Sequence, residues 1–391
     1  MVDIAAIDAF LAAALRDLRG GSAVDWQHDL TADEPKDVAL SAVWSRIDVH
    51  GIAAVLHQDT GQLIEWPSAL LERIADEARL LGLWEMTHSA LLAKLIEQLQ
   101  ASGIETVLMK GTALAYSVYD DPSVRRRGDS DLLIRAEDLE RARKLLGECG
   151  WYRNDDPHGL SFQEGWLHKA AGHFVHALDL HWEVSDRPVL QGVLRSEDFF
   201  AHRSTLERLA PSAFRADHTL TMIHSAINQE WHVAHGYWAE AGRVIGARRL
   251  IWALDYALLA QSMEAADWDR LTKLCSARGV SPLVAQSLKD AASKLDAPVP
   301  LEVLEALGRE PLSPDIAAYF STKDKFGEFW LDLRSASSWS ARIAMVKARA
   351  LPPRAHLMEK FPQRTNWPTF ALRALLMLNT SKRLIKRAVG R

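Results

Sequence analysis

The chain has 391 residues, 48% of them hydrophobic and 25% charged, with a formal net charge of −5. This composition excludes a disordered or fibrous chain and fits two or three globular domains, and no uncharged apolar run approaches the ~20 residues of a membrane span. Two cysteines, Cys149 and Cys275, exclude a disulfide framework and a thiolate metal site, and a start carrying Asp3, Asp8 and Asp17 without a basic n-region reads as cytoplasmic rather than secreted.

Residues 1–100 read as helices. Ile4, Ile7, Phe10, Leu11 and Leu15 recur at helical spacing, as do Leu70, Ile74, Ala78, Leu81 and Trp84, then Leu91, Leu92, Leu95 and Leu99. The polar stretch Asp25–Lys36 reads as a loop. Strands alternating with helices begin near Ile104, with a buried strand to Met109, a turn at Gly111 and a helix after it. A second strand starts at Asp129 and runs through Leu132, Leu133 and Ile134. Asp138–Gly150 reads as a helix ended by Gly150, Asn154–Gly159 as a turn cluster, and Phe174–Val184 as a further strand.

From Thr219 the pattern is helical again, with Met222, Ile223, Ala226 and Ile227 on one helix and Leu250, Ile251, Leu254, Ala257 and Leu258 on another. Pro298, Pro300, Pro311 and Pro314 mark breaks. Pro352-Pro353 opens a tail in which the apolar helix Thr369–Leu378 precedes Lys382, Arg383, Lys386 and Arg387. From Arg342 to Arg391 twelve Lys/Arg face one acid, Glu359, a net +11 that leaves −16 on the rest of the chain. An acidic body does not suit broad nucleic-acid binding, which rests on phosphate neutralisation. The basic tail suits an acidic partner, a membrane surface, an RNA or the acidic body itself.

Asp129 and Asp131 are the most informative pair. Alternation along a strand points both carboxylates to one face, where they repel unless a cation lies between them, and Mg²⁺ held by carboxylates and substrate phosphates is the usual solution. Upstream, Lys110-Gly111-Thr112 sits at a strand-to-helix turn, where backbone N–H groups and the helix N-terminus favour a phosphate. Downstream, Asp179, His181 and Glu183 alternate with apolar residues and share a face, supplying a third carboxylate from Asp179 or Glu183. His181 suits orienting a carboxylate, touching an acceptor, or a place in the core. His168 and Lys169 are weaker candidates for the nucleotide side. His224, Asn228 and His232 recur every fourth residue, as a polar cleft wall or a buried polar seam that Arg248, Arg249 and Asp255 extend; no HExxH or cysteine pattern supports zinc there.

A Gly-Ser/Thr turn, an Asp-x-Asp strand and a third acid on a later strand resemble the DNA polymerase β-type nucleotidyltransferase superfamily. The fuller string Lys110-Gly111-Thr112, Tyr119-Asp120-Asp121-Pro122-Ser123-Val124-Arg125, Asp129-x-Asp131-Leu132-Leu133 and Asp179-Leu180-His181-Trp182 is similar to the bacterial group of uncharacterised nucleotidyltransferases, some of whose members are encoded beside peptide natural-product genes. The resemblance covers roughly residues 40–260. It departs from most of the superfamily in the 17 positions between Thr112 and Asp129, a span holding Arg125, Arg126 and Arg127. Arg125 matches an arginine the group carries before its Asp pair; Arg126 and Arg127 read as solvated.

The resemblance implies an α+β fold, with a small mixed-sheet nucleotidyltransferase core flanked by N- and C-terminal helical regions. The expected division is 1–100 helical, 101–190 core, 191–310 a helical domain, and 311–391 a helical region with the basic tail. It implies transfer of an NMP from an NTP, ATP favoured, to a hydroxyl or phosphate of a small-molecule or peptide acceptor, with peptide modification one such role. Two Mg²⁺ ions would be held by Asp129, Asp131 and Asp179, the catalytic acids, with Lys110, Gly111, Thr112, Arg125 and His181 on the nucleotide. The competing readings are a toxin-like tRNA nucleotidyltransferase, with nucleic acid held by the basic tail, and a non-catalytic nucleotide-binding interaction module.

Overall fold

Asp3 accepts hydrogen bonds from the Ala5 and Ala6 amides and starts α1 (Ile4–Arg19), whose Ile7, Phe10, Leu11, Ala14, Leu15 and Leu18 form one buried stripe. The structure is a computed structural model. It describes every residue except 1–2, 29–34, 155–161, 171–173, 241, 323, 353 and 390–391, so most of the expected turn at Asn154–Gly159 and half of the loop at Asp25–Lys36 lie outside the described residues.

After α1 come a short strand β1 (Val24–Asp25), α2 (Lys36–His50), α3 (Ala53–Gln58) and β2 (Leu63–Ile64), which pairs with β1. The two apolar runs expected as separate segments form one 34-residue helix, α4 (Ser68–Ala101). Then follow β3 (Thr106–Met109), α5 (Lys110–Ser117), β4 (Asp129–Ile134), α6 (Leu139–Glu148), β5 (Tyr152–Arg153), β6 (Gln163–Lys169) and β7 (Val175–His181). The short helices α7 (Pro188–Gln191) and α8 (Ser196–Ala201) lead to β8 (Arg203–Thr205) and β9 (Phe214–Ala216). Next come α9 (His218–His235), the hairpin β10 (Tyr237–Ala239) and β11 (Gly242–Val244), and α10 (Leu250–Gln261). The rest is helical: α11 (Ala265–Arg278), α12 (Ser281–Leu295), α13 (Leu301–Arg309), α14 (Pro314–Ser321), α15 (Lys325–Ser335), α16 (Trp339–Ala350), α17 (Arg354–Lys360) and α18 (Thr369–Val389).

The fold is α+β. Its mixed seven-stranded sheet has the order β5-β6-β7-β4-β3-β9-β8, and β8 and β9 reach it from residues 203–216, after the span in which the sequence suggests the core. β3 runs antiparallel to β4 and parallel to β9, and β4 runs parallel to β7. One face of the sheet packs Leu108, Leu132, Ile134, Leu178 and Leu180 under Leu92, Leu95, Ile96 and Leu99 of α4 and Ala142 and Leu146 of α6. The other face, with Val107, Met109 and Leu133, joins a core shared with α1, α2, α9, α10 and α12. That second face also carries Asp129 and Asp131, so the helical mass after the sheet closes over the acids.

Arg126 and Arg127 are not solvated, a correction to the sequence reading. Each arginine of the run is tied to a different acid. Arg125 Nε and Nη2 donate to Asp255 Oδ1 and Oδ2 of α10, each at 2.7 Å. Arg126 pairs with Asp48 of α2 and lies 3.7 Å from Glu77 of α4. Arg127 Nη2 donates to Glu85 Oε2 of α4 at 2.5 Å, and its Nε to Thr112 Oγ1 at 3.1 Å. The widened segment before β4 is therefore a knot of buried ion pairs. At the far end, α16 exposes Trp339, Ile343 and Val346 at helical spacing and α18 exposes Phe370, Met377 and Leu378. Among the described residues no helix is long and apolar enough to cross a membrane, and Cys149 and Cys275 are free.

Replacing Arg127 by Met should destabilise the fold by about 3–5 kcal/mol, because Glu85 is left buried without its cation. Urea unfolding of Arg127→Met and of the Arg127→Met/Glu85→Leu double variant measures this. The double variant should recover much of the loss.

Candidate active site

Parallel pairing of β4 with β7 sets Asp131 beside Asp179 and Leu133 beside His181. Antiparallel pairing with β3 sets Met109 beside Asp131, which delivers the next residue, Lys110, to the same place. Lys110 has φ 50°, a left-handed conformation rare for a side-chain-bearing residue. Such strain costs about 1–3 kcal/mol and persists where surrounding contacts hold it. Here the contact is the Lys110 Nζ bond to Asp131 Oδ1 at 2.5 Å. His181 Nε2 lies 3.0 Å from that same oxygen.

Asp131, Asp179 and His181 offer ligand atoms that all lie within 4.8 Å of one another, so this group could hold a metal ion. Asp129, at the start of β4, stands outside that group and reaches solvent. It points to the same face, two residues or about 6.6 Å along the strand. Although the residue is partly open to solvent, protein packed around its carboxyl, then the charges of Asp131 and Asp179, push it up to about 7. Burial and then Asp131 also raise Asp179. Asp131 goes the other way: burial raises it, but Lys110 and His181 outweigh burial and hold it well below the usual carboxylate range. Burial opposes the charge on Lys110, yet Asp131, Asp129 and Asp179 together keep its pKa above the ordinary lysine value. Three carboxylates share one ammonium, a local negative excess that a hard cation would neutralise.

The opposite face of β4 pins this arrangement. Ser130, between the two acids, has its Oγ 2.7 Å from His88 Nε2 and 2.7 Å from Thr112 Oγ1. His88 Nδ1 lies 3.3 Å from His176 Nδ1, and Trp84 stacks on the His88 ring at 4.2 Å. Burial, with Arg127 and His176, pulls His88 down to about 2, so it is neutral. The Thr112 hydroxyl is thus engaged by Ser130 and Arg127, on the face away from the acids. Gly111 packs against Arg127, whose Cβ is 3.5 Å from where a Gly111 side chain would begin. Arg125 is employed on Asp255.

The expected strand Phe174–Val184 ends at His181, so the alternation does not extend to Glu183, which accepts from Ser196 Oγ at 2.6 Å. His168 pairs with His176 in the register of β6 and β7, which puts it on the face opposite Asp179. Lys169 lies over the Tyr152 ring. Gln163, not singled out from the sequence, donates to Asp179 Oδ2 at 3.4 Å. Ser130 and His88 were also missed; a polar residue at the inward phase of a strand, and a histidine within the apolar stripe of α4, are the only signals they leave. From α9, His224 and His232 both respond to the charges of Lys110 and Asp131, and burial, then Lys110, lowers His224 to about 3. α9 itself packs on the sheet face that carries the acids. Arg248 pairs with Glu230.

A family model described as uncharacterised nucleotidyltransferase matches residues 36–266. No curated protein matches. Among solved structures, an antigenic nucleotidyltransferase-like protein from Paracoccidioides brasiliensis is 14% identical, with 60% of this chain and 95% of that chain covered and a TM-score of 0.30.

Lys110→Met should lower the Tm of the metal-free protein, because the acids lose their one ammonium. The deficit against wild type should shrink when Mg²⁺ is added. Thermal unfolding with EDTA and with 10 mM Mg²⁺ (a test concentration of about saturating order) reads both arms; a deficit unchanged by Mg²⁺ would remove the acids from cation binding.

Proposed function

The chain belongs to the uncharacterised nucleotidyltransferase family and is a nucleotidyltransferase; on that premise we propose that it moves an NMP from an Mg²⁺-bound NTP to a hydroxyl or phosphate of a small-molecule or peptide acceptor. The observation that carries this reading is the β4–β7 register, which sets Asp131 beside Asp179, with Asp129 on the same face and Lys110 against them.

Oxygen donors in this number fit Mg²⁺, which prefers carboxylates and phosphates to nitrogen. Asp129, Asp131 and Asp179 would hold it. His181 then serves as the group that orients Asp131, through the 3.0 Å approach of its Nε2. Bound at such a site, two Mg²⁺ ions polarise the attacking and leaving oxygens of an in-line displacement.

The remaining chemistry falls to the chain's own groups. Asp179, set beside Asp131 by the β4–β7 register, also serves to accept the proton of the attacking hydroxyl. Lys110 has two exclusive uses: its ammonium neutralises Asp131 or meets a phosphate oxygen of the donor. The Gly111 turn offers backbone N–H groups at the start of α5 to the same phosphates. Thr112 and Arg125 support the site indirectly, by holding Ser130 and the segment before β4. The donor is an NTP, with ATP favoured. The exposed apolar stripes on α16 and α18, beside the basic excess of the tail, support docking of this end on an acidic partner or membrane surface.

Asp131→Asn and Asp179→Asn should each abolish transfer without unfolding the chain, and His181→Ala should cost about 10–100-fold in activity or metal affinity, as for groups that orient a ligand. Calorimetric titration of the four NTPs with Mg²⁺, on wild type and the Asp129→Asn/Asp131→Asn variant, tests the donor site directly. Binding that survives in the variant would refute the assignment of the acids.

A further inference from the structure

Arg249, just before α10, carries a guanidinium that forms no ion pair among the described residues. Its Nε donates to the Val49 carbonyl at 2.8 Å. Its guanidinium carbon lies 5.3 Å over the Tyr237 ring and 5.8 Å over Trp252. Burial pulls Arg249 down to about 10, and Arg125 and Arg126 add to the effect. Arg249 is half-buried, and the charge of Asp255, itself paired with Arg125, offsets only part of the cost, so a further anion would suit the guanidinium.

Around it stand further polar atoms without hydrogen-bond partners among the described residues. Tyr237 is 7% exposed and its hydroxyl is buried with no hydrogen bond. His232 Nδ1 has no hydrogen bond of ordinary geometry either, although the Gly236 backbone lies near its ring. Trp252 stacks on His232 with ring centroids 6.1 Å apart and meets Tyr237 edge-on at 5.3 Å. Two glycines permit the close packing here, Gly51 against the Arg249 guanidinium and Gly236 against the end of its own hairpin. Gly51 has φ 70°, and a side chain there would run into the Arg249 guanidinium. Gly236 has φ 86°, and its Cβ would lie 2.9 Å from the Val244 carbonyl.

The cluster sits on α9 and α10, helices that pack on the sheet face carrying the acids. His232 shares a face of α9 with His224, and both respond to Lys110 and Asp131. A purely structural role for Arg249, tying the start of α10 to the end of α2, accounts for its Nε bond alone. It leaves the Tyr237 hydroxyl unpaired, an arrangement that removal of the hydroxyl would improve.

We infer that Arg249 and Tyr237, with His232 and the Trp252 wall, form a subsite for an oxyanion, a carboxylate or phosphate group carried by a bound substrate. Arg249 offers its Nη donors as a fork and Tyr237 its O–H, the pairing that suits a planar or tetrahedral oxyanion. The oxyanion belongs either to the acceptor or to the terminal phosphate of the donor. Naming those two sources rests on the transfer reaction proposed above; the subsite itself does not.

The test uses the full chain and inorganic phosphate, without metal or nucleotide. Calorimetry should show phosphate binding to wild type, weakened roughly 10-fold in Tyr237→Phe and at least as much in Arg249→Gln. The Tm of Tyr237→Phe should equal or exceed that of wild type. Affinity unchanged in both variants, no binding to wild type, or a Tyr237→Phe variant that loses stability and keeps phosphate would overturn the subsite. Mg²⁺-NTP titration of the same variants then assigns the source. A parallel loss places the donor's terminal phosphate there, and an unchanged NTP affinity places an acidic group of the acceptor there. Asp131→Asn should keep phosphate binding, so failure of the metal site and failure of this subsite are told apart.

Discussion

The parallel register of β4 and β7 is the constraint on which the site depends. It holds Asp131 and Asp179 side by side, where two carboxylates repel each other. Hydrogen bonds of the sheet oppose that repulsion, and a register slip by one residue would turn the acids to the other face and the apolar residues toward the cleft. The charge left over is met by Lys110, which reaches Asp131 only because its backbone adopts a left-handed conformation at the end of β3. Strain at one residue, repulsion at two others and an ammonium between them leave the site with an excess of negative charge.

The rest of the molecule reads as support for that unfavourable arrangement. Ser130 is gripped on the far face by His88 and Thr112, so β4 cannot rotate its acids away from β7. The arginine run ahead of β4 is held from three directions, by Asp255, Asp48 and Glu85. Buried pairs of this kind contribute little net stability against an apolar alternative. What they supply here is position: the strand begins where three helices agree that it should. α4 takes part in both devices, through His88 and Glu85, and so holds β4 at two points.

The helical mass after the sheet plays a different part. α9 packs on the sheet face that carries the acids, and the β10–β11 hairpin and the start of α10 bring Tyr237 and Arg249 together. Glu240 of the hairpin turn accepts from Trp44 Nε1 at 2.9 Å, and its amide donates to Asp48 at 2.7 Å. Asp48 therefore links the hairpin to Arg126. The hairpin and the segment before β4 are tied to one another through the same arginine run.

Periodicity and composition alone determined the helical flanks, the strand-turn-helix at Met109–Thr112 and the placing of Asp129 and Asp131 on one strand face, because those features depend on neighbours within a few residues. They also made Asp179 and His181 visible as alternating polar positions. Pairing partners decided the rest. That β7 lies parallel to β4, that it ends before Glu183, and that Thr112 turns toward Ser130 and away from the acids follow from contacts between segments dozens of residues apart. The arginine run shows the limit most clearly. From the sequence Arg126 and Arg127 read as solvated and Arg125 as a nucleotide contact, since their anions sit on α2, α4 and α10, and only the folded chain brings those three acids to one short segment.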